Sequence, residues 1–341
     1  MKHRWPLIVS VFFLLAVIHL TANPSSILVI GGGPTGLGAA IEARKSGADV
    51  ILVEKRDTYT RQTTLFLYTV TLELFEKWNV PIPLMEELEF KGERRGFVFT
   101  KDLETSLAHR ADTLGVQRIQ GEFIDFIKGS HTAIVQTADG NKYFPYDILV
   151  GADGTHSRVR EKLGIACHSL GKSIGGISIV PAINSEKKIA VEIQPHTEVF
   201  AKKVSVPSAT ILFIQNKPDT PFKSLNSNEM IRFASEVGWQ EEAMKMEMGN
   251  LFTIENIPIY LQRAATFSDS IQGVILLGDA ASSASFYQGT GANFSFKTIQ
   301  LARELFRNWQ KEDTYAQFNH DMEIEATKLI NISLPLFEPV F

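Results

Sequence analysis

Cysteine is nearly missing from this chain of 341 residues: Cys167 stands alone. One thiol makes neither an intramolecular disulfide nor a multi-thiolate zinc site. A basic excess is lacking too, with 34 Lys and Arg against 38 Asp and Glu and a formal charge of −4. Nucleic acid binding asks for a basic face, and this balance gives no case for one. The eight histidines include no H-E-x-x-H and no close pair at a helical metal-ligand spacing, so no metal site is expected. Repeats and low-complexity linkers are lacking as well. At 44% hydrophobic, 10% aromatic and 21% charged residues, the composition excludes a mostly disordered chain. The length suits two domains of roughly 100–200 residues.

The one long hydrophobic run lies at the front. Lys2, His3 and Arg4 precede Leu7 to Leu20, whose strongly polar member is His19, and Thr21-Ala22-Asn23-Pro24 follows. A basic start, a short apolar stretch and a small residue at Ala22 fit a secretory signal. From Trp5 to Ala22 the stretch also reaches the roughly 18 residues of a short membrane span. Residues 1–22 are therefore expected to be a cleaved signal or a retained anchor, giving an exported or membrane-associated protein. Positive-inside counting favours an exported body. A cytosolic body, attached through an apolar stretch that only dips into the membrane, is the alternative.

From Ser25 the pattern changes to strand, glycine turn, helix and strand. Ile27 to Ile30 and Val50 to Val53 are short apolar runs of the buried parallel type. Between them, Leu37, Ala40, Ile41 and Ala43 recur at helical spacing until Gly47. Asp139-Gly140 sits between two strand-like runs as a hairpin signal. Residues from about 172 to 215 are β-rich, and a mostly helical tail is expected from about Ala292 to Ile330. The organisation is that of an α/β nucleotide domain interrupted by a β-rich segment.

Gly31-Gly-Gly33-Pro34-Thr35-Gly36 fits G-x-G-x-x-G and sits between the first strand and the first helix, as that motif requires. The first glycine allows a tight turn, the second lets backbone approach a pyrophosphate, and the third lets helix and strand pack closely. The helix start adds unpaired N–H groups and partial positive charge. Glu54 ends the second strand, where a carboxylate can accept ribose hydroxyls.

Two further turns follow. The first is Asp147-Ile-Leu-Val-Gly-Ala-Asp153-Gly154; the second is Val274-Ile-Leu-Leu-Gly278-Asp279-Ala280-Ala281, with Gly289-Thr290-Gly291-Ala292-Asn293 beyond it. At these three turns, in this order, the chain resembles the FAD-dependent aromatic hydroxylase family, the single-component flavoprotein monooxygenases with the p-hydroxybenzoate hydroxylase fold. Lys55 to Gln62 and Gly289-Thr290-Gly291 are similar to stretches of MICAL-type monooxygenase domains. The resemblance implies an α/β fold. A Rossmann-like FAD-binding domain of the glutathione-reductase and p-hydroxybenzoate-hydroxylase type would cover 25–165 and 263–330, with an inserted β-rich substrate domain over 166–262.

The resemblance also implies roles. Gly31, Gly33, Pro34, Thr35 and Gly36 would hold the FAD pyrophosphate, and Glu54 the adenosine ribose. Lys55, Arg61 and Gln62 would join the cofactor site, the last two near the phosphates or the ring. Asp153 and Gly154 would shape a region shared by FAD and NAD(P)H, the expected electron donor. Asp279 would bond the ribityl or pyrophosphate portion, and Gly289 to Asn293 would present a helix start to the flavin ring. A reduced flavin carries negative charge on that side, which N–H donors and a positive dipole end would stabilise.

Four positions depart from the family pattern. Ser282 replaces a histidine, Phe286 a proline beside the oxygen-reacting side of the flavin, Lys297 an acidic residue, and Lys101 an arginine on the helix crossing the FAD phosphates. Lys101 would meet a phosphate as a point charge without the planar fork. Other signals are bland. Gly171-Lys-Ser173 lacks the first glycine of a P-loop, at Ala166, and Ser173 in G-x-S-x-G precedes a strand where a helix is needed. Cys167 reads as a small buried residue. Asn293-Phe-Ser and Asn331-Ile-Ser match a glycosylation acceptor, the first on the flavin helix.

Three functions stay open. One is an NAD(P)H- and O2-dependent FAD monooxygenase hydroxylating an aromatic or other apolar small molecule. The second is a FAD-dependent reductase or dehydrogenase on a lipid-like substrate. The third is a non-catalytic flavin-binding module. No catalytic side chain can be named, and the oligomeric state is not legible.

Overall fold

The computed structural model describes residues 25–337, apart from 91, 128, 183–189, 208, 219–223 and 250–251. The expected signal or anchor over 1–22 lies outside the described residues. Among the described residues no helix is long and apolar enough to cross a membrane.

A parallel sheet forms the first layer. Its strands, in spatial order, are Val274–Leu276, Ile148–Gly151, Ser26–Ile30, Asp49–Glu54 and Gln117–Gln120, with the short antiparallel Ser268–Asp269 at one edge. Ile27 to Ile30 are all buried, as expected of a parallel strand covered on both faces. Helix Pro34–Lys45 returns the chain to Asp49–Glu54, and Gly47 takes the left-handed φ of +95° that lets the helix stop. Thr132–Thr137 and Gly140–Pro145 form the hairpin expected at Asp139-Gly140, with Gly140 at φ +103°.

The second layer is an antiparallel sheet in the order Ala190–Gln194, Val199–Val206, Ala209–Asn216, Cys167–Pro181, Phe252–Ala264 and Ser282–Ser283. Side chains alternate cleanly across it. Ile211 and Phe213 point to one apolar cluster with Ile177, Ile179 and Tyr287, whereas Leu212 and Ile214 point to another with Met230, Phe233 and Trp239 of the covering helices. The strand Cys167–Pro181 carries register shifts between Ser169 and Gly171 and between Gly175 and Ile177, so it bends over the first layer. Ser173 lies on this strand and donates to Asn216 O at 2.7 Å, so the G-x-S-x-G letters are strand residues. Cys167 is exposed at the strand's first position, not buried as its sequence context suggested, because only the later part of that strand enters the core.

The expected helical tail is two helices, Gly291–Asn308 and Glu312–Ser333. Small strands Thr64–Tyr68, Glu86–Phe90 and Glu93–Phe99 close the remaining side. Phe97 joins the apolar cluster of the antiparallel sheet, so this region bridges the layers.

Candidate functional site

All three turns converge on one cavity of about 490 Å³. At its centre the backbone is packed too tightly for side chains. Gly31 has φ +103°, and a β-carbon there would collide with Ala152 O. A β-carbon on Gly36 would collide with Gly31 O. These two glycines let the first turn close and press it against the second. Gly278, at φ +57°, brings the third turn alongside, where a β-carbon would stand 2.6 Å from Thr35 Oγ1.

Gly33 is different. The nearest atoms to a β-carbon built there are the Arg61 guanidinium at 3.8 Å and Glu104 Oε1 at 3.9 Å. The protein therefore leaves the space over Gly33 open and hangs a cation beside it. An anion seated on this turn would meet the N–H groups opening helix Pro34–Lys45 and the Arg61 charge together.

Glu54 anchors a charged network at the end of its strand. Its Oε2 accepts from Gly32 N at 2.6 Å, and its Oε1 accepts from Arg56 N at 2.9 Å and Arg56 Nε at 3.0 Å. Burial acts to raise its pKa, but the Arg56 hydrogen bonds and charge and the Gly32 N–H together hold it below the usual value. Arg56 Nη2 also reaches Glu104 Oε1 at 3.2 Å, and Arg61 Nε stands 3.8 Å from the same oxygen. Glu104 is 0% exposed, and burial raises its pKa despite both arginines. It was invisible in the sequence, although its place on helix Thr100–Thr113 is the one signal that aims it at the glycine turn.

The second turn offers Asp153. Its Oδ2 accepts from Val159 N at 3.1 Å, while its buried Oδ1 has no partner among the described residues; burial raises its pKa. Arg160, also unforeseen, ties the second turn to the third by donating to Thr155 O at 3.0 Å and Ala280 O at 2.7 Å. On the third turn, Asp279 is exposed to the cavity, whose walls crowd its carboxyl. Desolvation pushes its carboxyl up to about 6, against the pull of Arg61.

Of the residues expected at the cofactor, Gly31, Gly33, Pro34, Thr35, Glu54, Lys55, Arg61, Asp153, Gly154, Asp279, Gly289, Gly291 and Ala292 line this cavity. Gly36 supports the turn from behind. Gln62 is exposed and outside the lining. Lys101 is also outside it: its ammonium lies 5.7 Å from the Phe99 ring centroid, attracted to the ring face and not to the cavity. Thr290 stands behind the lining, its buried Oγ1 without a partner among the described residues.

Asn293 turns inward from the lining and is a clamp. Its Oδ1 accepts from Tyr68 N and Thr71 Oγ1, both at 2.8 Å, and its Nδ2 donates to Phe66 O at 2.7 Å and Gly289 O at 3.0 Å. All its hydrogen-bonding capacity goes to fixing the start of helix Gly291–Asn308 against strand Thr64–Tyr68. Ser282, where the family pattern has a histidine, is buried and donates to Gln262 O at 3.1 Å.

Towards the antiparallel sheet the wall becomes apolar, formed by Phe66, Ala284 and Phe286. No residue of 166–262 lines this cavity, and Phe66 and Phe286 stand on its sheet side.

The room over Gly33, the helix start beside it and the cation at Arg61 fit a long, phosphate-bearing cofactor. Comparison with known proteins agrees. The FAD binding domain model matches residues 79–314. The pyridine nucleotide-disulphide oxidoreductase model matches residues 16–108. The chain is 32% identical over 161 residues to the F-actin-monooxygenase Mical of Drosophila melanogaster, a match covering 41% of this chain and 3% of that protein. To the dialkyldecalin synthase of Streptomyces rugosporus it is 28% identical over 159 residues, covering 41% of this chain and 34% of the synthase. The chain thus spans a small part of these relatives. Among solved structures, 2-methyl-3-hydroxypyridine-5-carboxylic acid oxygenase superposes with a TM-score of 0.72 at 18% identity, over 92% of this chain and 90% of the other. The OxyS anhydrotetracycline hydroxylase of Streptomyces rimosus does so with 0.70 at 17%, over 91% and 68%.

Proposed function

This chain belongs to the FAD binding domain family, and from that premise we propose that it is a FAD-dependent monooxygenase that uses NAD(P)H and O2 to hydroxylate an apolar small molecule, aromatic or aliphatic. The observation that carries this reading is the convergence of three glycine turns and Arg61 on one cavity. In the balanced reaction, NAD(P)H, a proton, O2 and R–H give NAD(P)+, water and R–OH.

FAD, when bound, supplies the two-electron and oxygen chemistry. The chain supplies the rest. The N–H groups after Gly33 and the guanidinium of Arg61 would hold the pyrophosphate, and Glu54, already oriented by Arg56, would accept the ribose. Asp279 has no protein hydrogen bond among the described residues, so it is free to accept from a hydroxyl of the cofactor. The start of helix Gly291–Asn308, fixed by Asn293, would direct N–H groups at the ring. Phe66, Ala284 and Phe286 would exclude water on the sheet side.

A second reading, a FAD-dependent reductase or dehydrogenase on a lipid-like substrate, is favoured by the closure of the sheet side by Phe286. Full-length protein mixed with FAD, NADPH or NADH and isotopically labelled O2 separates the two. Label in the product supports oxygen insertion; substrate turnover without label supports the second reading. A folded protein that cannot be loaded with FAD overturns both. An N-terminal membrane attachment is part of the proposal, and fractionation with protease protection tests it.

A further inference from the structure

The antiparallel sheet packs directly behind the apolar end of the cavity, yet none of its strands reaches the cavity surface. Phe286 is what lies between. Its ring forms part of the cavity wall on one side. On the other it rests on Gly175, where a β-carbon would collide with the ring and come within 2.8 Å of Ile259 Cδ1. Gly175 sits at a register shift in its strand, where backbone is bared to a close neighbour. Phe213 flanks the same ring at 6.3 Å between centroids.

The residues on both sides of Phe286 are tied down. Ser285 Oγ donates to the buried Gln215 Oε1 at 2.5 Å, and Lys202 Nζ donates to Tyr287 O. Room can therefore be made at this point only through the side chain of residue 286. Phe286 is half-buried, its ring packed on Gly175 and flanked by Phe213, and removing that ring leaves an apolar recess able to take up a benzene-sized molecule.

Resting on the flavoenzyme reading above, we propose that Phe286, seated on Gly175, is the size-determining residue of the substrate compartment. Its ring fills the ring-sized place between cofactor cavity and sheet. In the wild-type protein that place is accordingly closed to single rings. A shortened residue 286 opens the place to them.

The test uses full-length protein loaded with FAD and titrated with benzene, read by the visible flavin band and by the melting temperature. Phe286→Ala should bind benzene at least tenfold more tightly than wild type, with a shift of the flavin band. Phe286→Leu, which keeps bulk but removes the ring, should gain less in the same direction, and it decides the matter if the alanine variant does not fold. Gly175→Ala should gain nothing. Equal benzene affinity in wild type and the Phe286 variants overturns the proposal. So does a rise in melting temperature that leaves the flavin band unmoved, since the hole would then not adjoin the cofactor. Failure of wild type to take up FAD counts against the flavoenzyme reading instead, and the melting-temperature arm still tests Phe286 in its absence.

Discussion

Where the cavity meets the glycine turn its wall is backbone and charge: Gly31, Gly33, Glu54, Arg56, Arg61 and Asp279. Where it meets the antiparallel sheet its wall is aromatic carbon, backed by Lys202, whose ammonium lies 4.9 Å from the Phe213 ring and 5.2 Å from the Tyr287 ring. The first end recognises by fixed donors and acceptors, so single atoms decide its chemistry. The second recognises by shape, so volumes decide. An atom-level change should be costly at the first end, and a conservative exchange should be tolerated at the second.

The sharpest contrast lies within the glycine turn itself. Gly36→Val drives a β-carbon into Gly31 O and should abolish folding, seen as loss of a cooperative melt. At Gly33 a β-carbon meets Arg61 and Glu104 only at ordinary contact distance, so in Gly33→Val the melt without FAD should survive while FAD binding is abolished. If FAD binding survives in Gly33→Val, the turn does not hold the pyrophosphate.

Asp279→Ala should weaken FAD by about 10- to 150-fold, the loss of a charged hydrogen bond of roughly 1.5–3 kcal/mol, measured by fluorescence titration. The same carboxyl has an opposite effect on the empty protein. Its folded pKa of about 6 lies above the ordinary value of 3.8, so the native state holds the proton more firmly and stability falls as pH rises from about 4 to 6. Asp279→Asn should therefore melt higher than wild type at pH 7.5 without FAD and equally at pH 4. A melting difference that does not change with pH would show that the carboxyl is not desolvated.

Asn293→Ala leaves Tyr68 N–H and Phe66 O unmatched and should cost about 1–3 kcal/mol in urea unfolding. A cost that small alongside a larger loss of FAD affinity would show that the helix start matters to the cofactor beyond stability.

The last effect belongs to the aromatic end. Burial lowers Lys202 to about 8, below its ordinary 10.5, so the native state holds the proton less firmly than the unfolded chain. Stability should rise as pH increases from about 8 to 10, and Lys202→Met should lack that rise in urea unfolding compared across this range.

The two ends also differ in how well the residues announced them. Glycines at 31, 33 and 36, an acid at 54 and Gly278-Asp279 recur at spacings imposed by backbone geometry, which survives in a linear chain. Gly33 was legible because its role needs only its own missing side chain. Glu104 was not, since its meaning comes from Arg56 and Arg61 more than forty residues away. Lys101, its neighbour on the same helix, was read as the phosphate contact, but the helix turns Lys101 onto Phe99 and Glu104 into the site. The Phe286 substitution was visible in the sequence; its seat on Gly175 was not, because 111 positions separate partners joined only by packing.

The sequence by itself determined the nucleotide fold, the order of the turns and the open place over Gly33, because local φ requirements and hydrophobic period are properties of short segments. The tertiary structure alone decided that Asn293 spends its amide on Phe66, Tyr68, Thr71 and Gly289, that Arg160 joins two turns, and that an aromatic ring separates cavity from sheet. Those outcomes depend on which distant surfaces meet when both layers bury their apolar faces, and no short stretch of the chain encodes that meeting.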